Sequence, residues 1–147
     1  MLPLRPLLRR LTHGLTLGVR AIVLRSDDQV LLVRHSYTPG WHLPGGGVDV
    51  GETAPDAVCR ELREETNVTA TGPVNLHGLF FNPRFGRRDH VACYVVPAFS
   101  LGPPPKPNLE IREVAFFPVQ CVPPDTAAGT LRRLAELRGE VPVGVHW

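Results

Sequence analysis

Between Leu15 and Leu24 the chain reads LTLGVRAIVL, and from Gln29 to Arg34 it reads QVLLVR. Both runs are dense in leucine and β-branched residues, as strands are. Arg25-Ser26-Asp27-Asp28 between them is a turn-forming cluster, so the pair is expected to fold back as a hairpin. Trp41 to Gly47 (WHLPGGG) then breaks regular structure. From Thr53 to Thr66 the period changes: Ala54, Ala57, Val58 and Leu62 recur at helical spacing and define a core-facing side. Thr53 is the expected N-cap, with Asp56 three residues on, and Pro55 falls in the first turn, where its missing N–H removes no helical bond. Val74 to Phe81, His90 to Ala98 and Glu110 to Val119 read as further strands, with the Pro-rich Leu101 to Asn108 as a connecting loop. Asp125 or Thr126 can cap a final helix through Arg138, with Leu131, Leu134 and Ala135 inward and Gly139 as its stop.

At 147 residues, 43% of them apolar, the chain suffices for one core and not for two. Residues 1–147 are therefore expected to form a single domain, with 1–14 as an N-terminal arm. A formal net charge of +2 does not mark a nucleic-acid-coating protein. Lys106 is the only lysine; arginine suits bidentate phosphate contacts, although a compositional bias explains the preference as well. Cys59, Cys93 and Cys121 form no CxxC pair and no metal-like spacing, which argues against a disulfide framework and fits a reducing compartment. Arg5, Arg9 and Arg10 precede the apolar run Leu11 to Leu24, but His13, Gly14, Gly18 and Arg20 interrupt it, and no stretch approaches the ~20 apolar residues of a membrane span. The expected location is the cytoplasm, with no membrane partner. Leu4, Leu7, Leu8 and Leu11 could pack on the body or on a second subunit, which leaves a homodimer open.

The Thr53–Thr66 helix carries candidate chemistry. Glu61, Glu64 and Glu65 stand at i, i+3 and i+4, so their carboxylates share one face, at a cost of about 0.2–0.5 kcal/mol per like-charged pair. Arg60 and Arg63 offset part of this, and a solvated acidic face would need no further explanation. Gly45, Gly46 and Gly47, which precede the helix after Leu43-Pro44, let backbone approach a ligand closely. Mg²⁺ is a hard cation that takes carboxylates together with substrate phosphates, and carbonyls beside three stacked carboxylates suit it.

Gly46 to Val68 (GGVDVGETAPDAVCRELREETNV) resembles the Nudix box, in which Gly46, Glu52, Arg60, Glu61, Leu62, Glu64, Glu65 and Val68 fall in register. Trp41-His42-Leu43-Pro44-Gly45 is similar to that family's usual lead-in. Asn67 stands where the family has glycine; Asn is the next most tolerant residue for a left-handed backbone after a helix. The resemblance implies an α/β fold, an α/β/α sandwich with a mixed sheet, and a Mg²⁺-dependent hydrolase, with Mn²⁺ as the alternate ion. It implies Glu61, Glu64 and Glu65 as ligands for one to three ions, with the Gly45 or Gly46 carbonyl beside them. Arg60 would orient the glutamates by pairing with Glu52 and Glu64. Glu110 sits where the family often supplies a further ligand or general base, with Glu113 as the alternative, and either could equally be a solvent-facing strand residue.

The implied reaction is metal-assisted attack of water on a phosphoanhydride, with Glu61 or Glu110 taking the proton. Arg84, Arg87 and Arg88 are candidates for gripping distal phosphates or a ribose, set against an ordinary solvated hairpin loop. Trp41, Phe81, Phe85 or Tyr37 could stack on a base, and each is also a good core residue. His35, His42, His77 and His90 show no ligand spacing and read as structural or pocket-lining. Three functions follow: hydrolysis of a nucleoside diphosphate linked to another moiety (ADP-ribose, a sugar nucleotide, a dinucleotide or a (d)NTP), RNA 5′-end pyrophosphohydrolysis, or non-catalytic nucleotide sensing. The low net charge weakens the RNA reading, and the intact glutamate set argues against a mere sensor.

Overall fold

A computed structural model describes residues 13–84 and 86–147. The arm carrying Leu4, Leu7, Leu8 and Leu11, and Phe85 as a stacking candidate, lie outside the described residues. In chain order the elements are β1 (Thr16–Ile22), β2 (Gln29–His35), α1 (Ala54–Thr66), β3 (Val68–Ala70), β4 (Asn75–Asn82), β5 (Asp89–Val95), β6 (Phe99–Leu101), β7 (Ile111–Pro118) and α2 (Ala128–Leu137). A mixed sheet runs β1-β5-β4, parallel between β1 and β5 and antiparallel between β5 and β4; β2 pairs antiparallel with β7, and β3 with β6.

Successive strand side chains point to opposite faces, and here both faces are buried. Val19, Ala21 and Val23 join Ala92, Tyr94 and Val96 on one side, against Ala57, Val58 and Leu62 of α1. Ile22 and Cys93, one residue out of phase, join Val30, Leu32, Phe80 and Leu134 of α2 on the other. Burial on both faces explains why β1 and β2 read as nearly continuous apolar runs rather than as alternation. The expected α/β layering, with a helix on each face of a mixed sheet, is what the chain adopts.

The local turn at Asp27-Asp28 forms, with Asp28 at φ 56°, but the hairpin does not extend. One isolated bridge pairs Leu24, two residues past the end of β1, with Val30 of β2. Beyond it β1 gives one edge to β5 and the other to residues 44–48: the Val19 N–H donates to the Gly46 carbonyl, Ala21 to Pro44, and Val48 to Leu17. Strand β2 goes to β7. The pairing energy lay with distant segments that a local turn signal does not register.

Three further expectations are corrected. The loop from Leu101 begins inside a short strand, because β6 satisfies its backbone against β3. Helix α2 starts at Ala128 without a side-chain cap, its expected caps lying upstream of the first turn. Leu131 is 43% exposed, whereas Arg133 and Glu136 are buried with Leu134. The helix therefore turns a charged pair inward, which apolar periodicity reads as an outer face. Gly139, at φ 70°, is the stop.

Candidate active site

Helix α1 forms as its sequence directs. Thr53 Oγ1 accepts from the Asp56 N–H at 3.2 Å, Pro55 lies in the first turn, and Asn67 closes the helix at φ 57°, ψ 21°. Asn67 Nδ2 also donates to the Pro103 carbonyl at 2.8 Å, a bond glycine could not make. The buried face, Ala57, Val58 and Leu62, presses on β1 and β5 and aims the glutamate face at residues 44–47.

Arg60 ties this face together. Its Nε and Nη2 donate to the two oxygens of Glu52 at 2.7 and 3.0 Å, and Nη1 reaches Glu61 at 2.8 Å and Glu64 at 3.3 Å. The arginine, followed by the Asp49 N–H, draws the Glu52 carboxyl down to about 2. Glu61 moves the other way: burial raises its pKa, Arg60 opposes this, and the neighbouring Glu65 and Glu64 raise it further. Its carboxylate stands against Gly46, where a Cβ would come within 2.6 Å of it. Glu65 is 3% exposed, accepting from the Gly45 N–H at 2.8 Å and sharing a 2.8 Å hydrogen bond with His35 Nε2. Glu64 is the solvent-facing member.

Gly45 has φ 150°, and a Cβ there would lie 2.0 Å from the Val19 carbonyl oxygen. Glycine is required because the loop is laid directly on β1. Arg20 Nη1 donates to the carbonyls of Leu43 and Gly45 at 3.1 and 3.0 Å, and the Gly46 carbonyl is taken by Val19. A cleft of about 360 Å³ opens beside this loop, lined by Gly46, Gly47, Arg20, Tyr37, Arg84 and Trp147 among others. Burial raises the Tyr37 pKa, with Glu65, Glu110 and Glu61 adding to the rise and Arg20 opposing it.

The structure thus brings together Glu52, Arg60, Glu61, Glu64, Glu65, Gly45 and Gly46, and sets Arg84 in the cleft. Glu110 is exposed, its N–H bonded to Asn108 Oδ1. Arg87 and Arg88 are exposed and do not line the cleft. Trp41 is corrected: at 5% exposed, edge-on to Phe117 and beneath Arg34, it is a core residue with no face for a base. Phe81 contacts the rings of His90 and His146 and does not line the cleft either. Sequence reasoning assigned no role to Arg20 or Trp147 and left His35 general. The basic residue in an apolar strand at Arg20 was the available signal; the others depend on tertiary contacts.

Among the described residues no three acidic, His or Cys side chains are already drawn around a common point. The donor set nevertheless suits a hard divalent cation, which takes one or two carboxylates and completes its shell with water and phosphate. Each Glu65 oxygen keeps a lone pair beyond its N–H bond, and ligating carboxylates are commonly held by such bonds. Three carboxylates, one with its pKa raised by burial and by its neighbours, make an excess of negative charge that a cation relieves. The Gly45 carbonyl fits less well, since the Arg20 cation already occupies it.

Comparison with known proteins agrees with this geometry. The NUDIX domain model matches residues 14–137. A Bacillus subtilis protein provisionally named an 8-oxo-dGTP diphosphatase is 41% identical over 76 residues, 52% of this chain and 50% of that protein. The ADP-ribose pyrophosphatase of Methanocaldococcus jannaschii is 31% identical over 104 residues, 69% of this chain and 61% of its own length. The chain thus spans about half of the length of these curated relatives. The crystal structure of a MutT NUDIX hydrolase from Burkholderia pseudomallei superposes with a TM-score of 0.72 at 27% identity, covering 83% of this chain and 97% of the other. With the box residues in register on α1 and the family model matched across nearly all of the described fold, the chain belongs to the Nudix family.

Proposed function

We propose that the chain is a Mg²⁺-dependent hydrolase, with Mn²⁺ as the alternate ion, that cleaves a phosphoanhydride bond in a nucleoside diphosphate linked to another moiety. The observation carrying this reading is that Glu61, Glu64 and Glu65 share one face of α1, Glu61 and Glu64 tied by Arg60 and Glu65 by the Gly45 N–H, next to the glycine loop that borders a cleft lined by Arg20 and Arg84. Relatives named for 8-oxo-dGTP and ADP-ribose share the nucleoside diphosphate element.

Glu61, Glu64 and Glu65 would hold the cation, which when bound neutralises phosphate oxygens and acidifies a water molecule. Arg60 keeps the carboxylates from splaying apart, its guanidinium fixed by the bidentate bond to Glu52. Glu61 has one oxygen on Arg60 and the other without a protein partner among the described residues. It is the favoured acceptor of the proton from the attacking water, Glu110 being the other candidate. Oxygen–phosphorus bond formation then accompanies departure of the bridging oxygen with its phosphate. Arg84, and Arg20 where it borders the cleft, offer positive charge to the outlying phosphates.

The test is a substrate panel of NTPs, ADP-ribose, dinucleotides and triphosphorylated RNA, assayed with Mg²⁺ on wild type, Glu64→Gln and Glu65→Gln. Turnover of a nucleoside phosphoanhydride, lost by at least about a hundred-fold in both variants, is expected, since metal-held charge contributes several kcal/mol to the transition state. Unchanged turnover in both variants would remove the carboxylate assignment. No turnover of any member would favour a sensing module, and turnover of RNA alone the 5′-end reading. Glu61→Gln against Glu110→Gln distinguishes the two bases.

A further inference from the structure

Residues 144–147 are fastened to the fold by charges buried in its interior. Arg133 is 1% exposed, and its Nε and Nη2 donate to the two Glu136 oxygens at 2.8 and 2.7 Å. His77 Nε2 lies 2.8 Å from Glu136 Oε2, and Glu136 Oε1 also accepts from the Gly144 N–H at 2.9 Å. Arg133 donates onward to the His146 carbonyl at 3.2 Å. The segment is bonded to β4 as well, Phe81 N–H to the Val145 carbonyl and Trp147 N–H to the Phe81 carbonyl. Burying an ion pair is costly relative to apolar packing, so stability alone is a poor reason for this network.

What the network positions is Trp147. Its indole lies against Gly129, where a Cβ would come within 2.4 Å of Nε1. It packs edge-on to Phe80, and the Arg133 guanidinium lies 5.3 Å from its centroid. Trp147 as a residue is partly exposed, and it lines the same cleft as Gly46, Gly47 and Arg84. At that end of the cleft the polar groups are satisfied among themselves. Asp89 accepts from Thr16 and Asn82, and Asn82 Oδ1 accepts from the Arg84 N–H. The cleft is bordered by Arg20 and Arg84 and also by Leu17, Val91 and Tyr37; among its aromatic residues Trp147 is the one whose backbone segment is held by the buried network.

We infer that Trp147, held in place by the buried Arg133–Glu136–His77 network, is the surface on which the heterocyclic base of the substrate stacks, a specificity residue distinct from the carboxylates that act on the anhydride. This rests on the nucleoside diphosphate reading above and adds the recognition of its base. Every base has a π-face, so a stacking surface selects for a base without selecting strongly among bases.

The experiment pairs binding with kinetics on the full chain. Trp41 and Trp147 are the only tryptophans, and Trp41 is in the core, so ADP should quench the emission of wild type and leave that of Trp147→Phe unchanged. With a nucleoside substrate, Trp147→Ala should raise KM about ten-fold or more with kcat within about two-fold. Inhibition by pyrophosphate, which has no base, should be unaltered. Gly129→Ala, which displaces the indole and leaves the cleft's other residues in place, should raise KM similarly and add nothing to Trp147→Ala. An undiminished quench in Trp147→Phe, or a wild-type KM in Trp147→Ala, would overturn the inference while leaving the hydrolase reading intact. If no substrate is turned over, the ADP titration decides alone: a quench lost in Trp147→Phe upholds the stacking role, and no quench in wild type refutes it.

Discussion

Glu136→Gln is a sensitive probe of the buried network. The substitution preserves size but replaces an anion that accepts from Arg133 twice, from Gly144 and from His77. The amide presents an NH2 to a site where the Arg133 guanidinium and the Gly144 N–H offer only hydrogens, and Arg133 is left charged and buried. Removing one partner of a buried ion pair costs about 3–5 kcal/mol. Here the Arg133 bonds to the His146 carbonyl remain, so about 3 kcal/mol is expected. For a chain of this size that corresponds to a fall in Tm of roughly 10 °C, read by calorimetry near neutral pH. The effect also has a pH signature. Burial opposes ionisation of Glu136, but Gly144, Arg133 and His77 together outweigh it and hold its pKa below the ordinary carboxylate value of 4.5. Its stabilisation is thus complete above that value and is lost as pH falls through and below it, so the gap between wild type and Glu136→Gln should narrow in acid. Replacing both charges, Arg133→Met with Glu136→Leu, should destabilise less than Glu136→Gln alone, because no buried charge remains. A Tm within about 3 °C of wild type for Glu136→Gln, or a double variant worse than the single, would refute the account.

Three other outcomes follow from local geometry. Gly45→Ala, which forces a Cβ to 2.0 Å from the Val19 carbonyl, should cost about 2–4 kcal/mol by denaturant titration, through strain and loss of the loop from β1; a neutral effect would show that the loop is not laid down as described. Asn67→Ala should cost about 1–2 kcal/mol, combining an unfavourable left-handed residue with loss of the Pro103 bond, and Asn67→Gly should cost less. In native protein near pH 8 the exposed Cys121 should react fastest with a thiol reagent and Cys59 more slowly. Cys93, whose thiol burial pushes up to about 12, should react only on unfolding, and native labelling of Cys93 at the Cys121 rate would contradict its placement.

The parts legible in the sequence are those governed by short-range physics. A cap at Thr53, a proline in the first turn, four apolar residues at helical spacing and an asparagine able to turn left-handed suffice to fix α1. Three glutamates on one turn of such a helix must then share a face wherever the helix docks. The strands were legible as segments for the same reason, since their apolar density reflects burial on both faces. Partner choice was not legible. The β1–β2 turn forms as its residues dictate, yet β1 takes β5 and the glycine loop while β2 takes β7, because hydrogen bonds and burial from distant segments outweigh a local turn. The same limit applies to α2, where Arg133 and Glu136 look like solvent-facing residues until His77, Gly144 and Trp147 arrive from elsewhere to surround them. Sequence by itself determined the carboxylate helix, its loop and its family; the tertiary structure decided that Trp41 belongs to the core and Trp147 to the cleft, because burial depends on what the rest of the chain places against a ring.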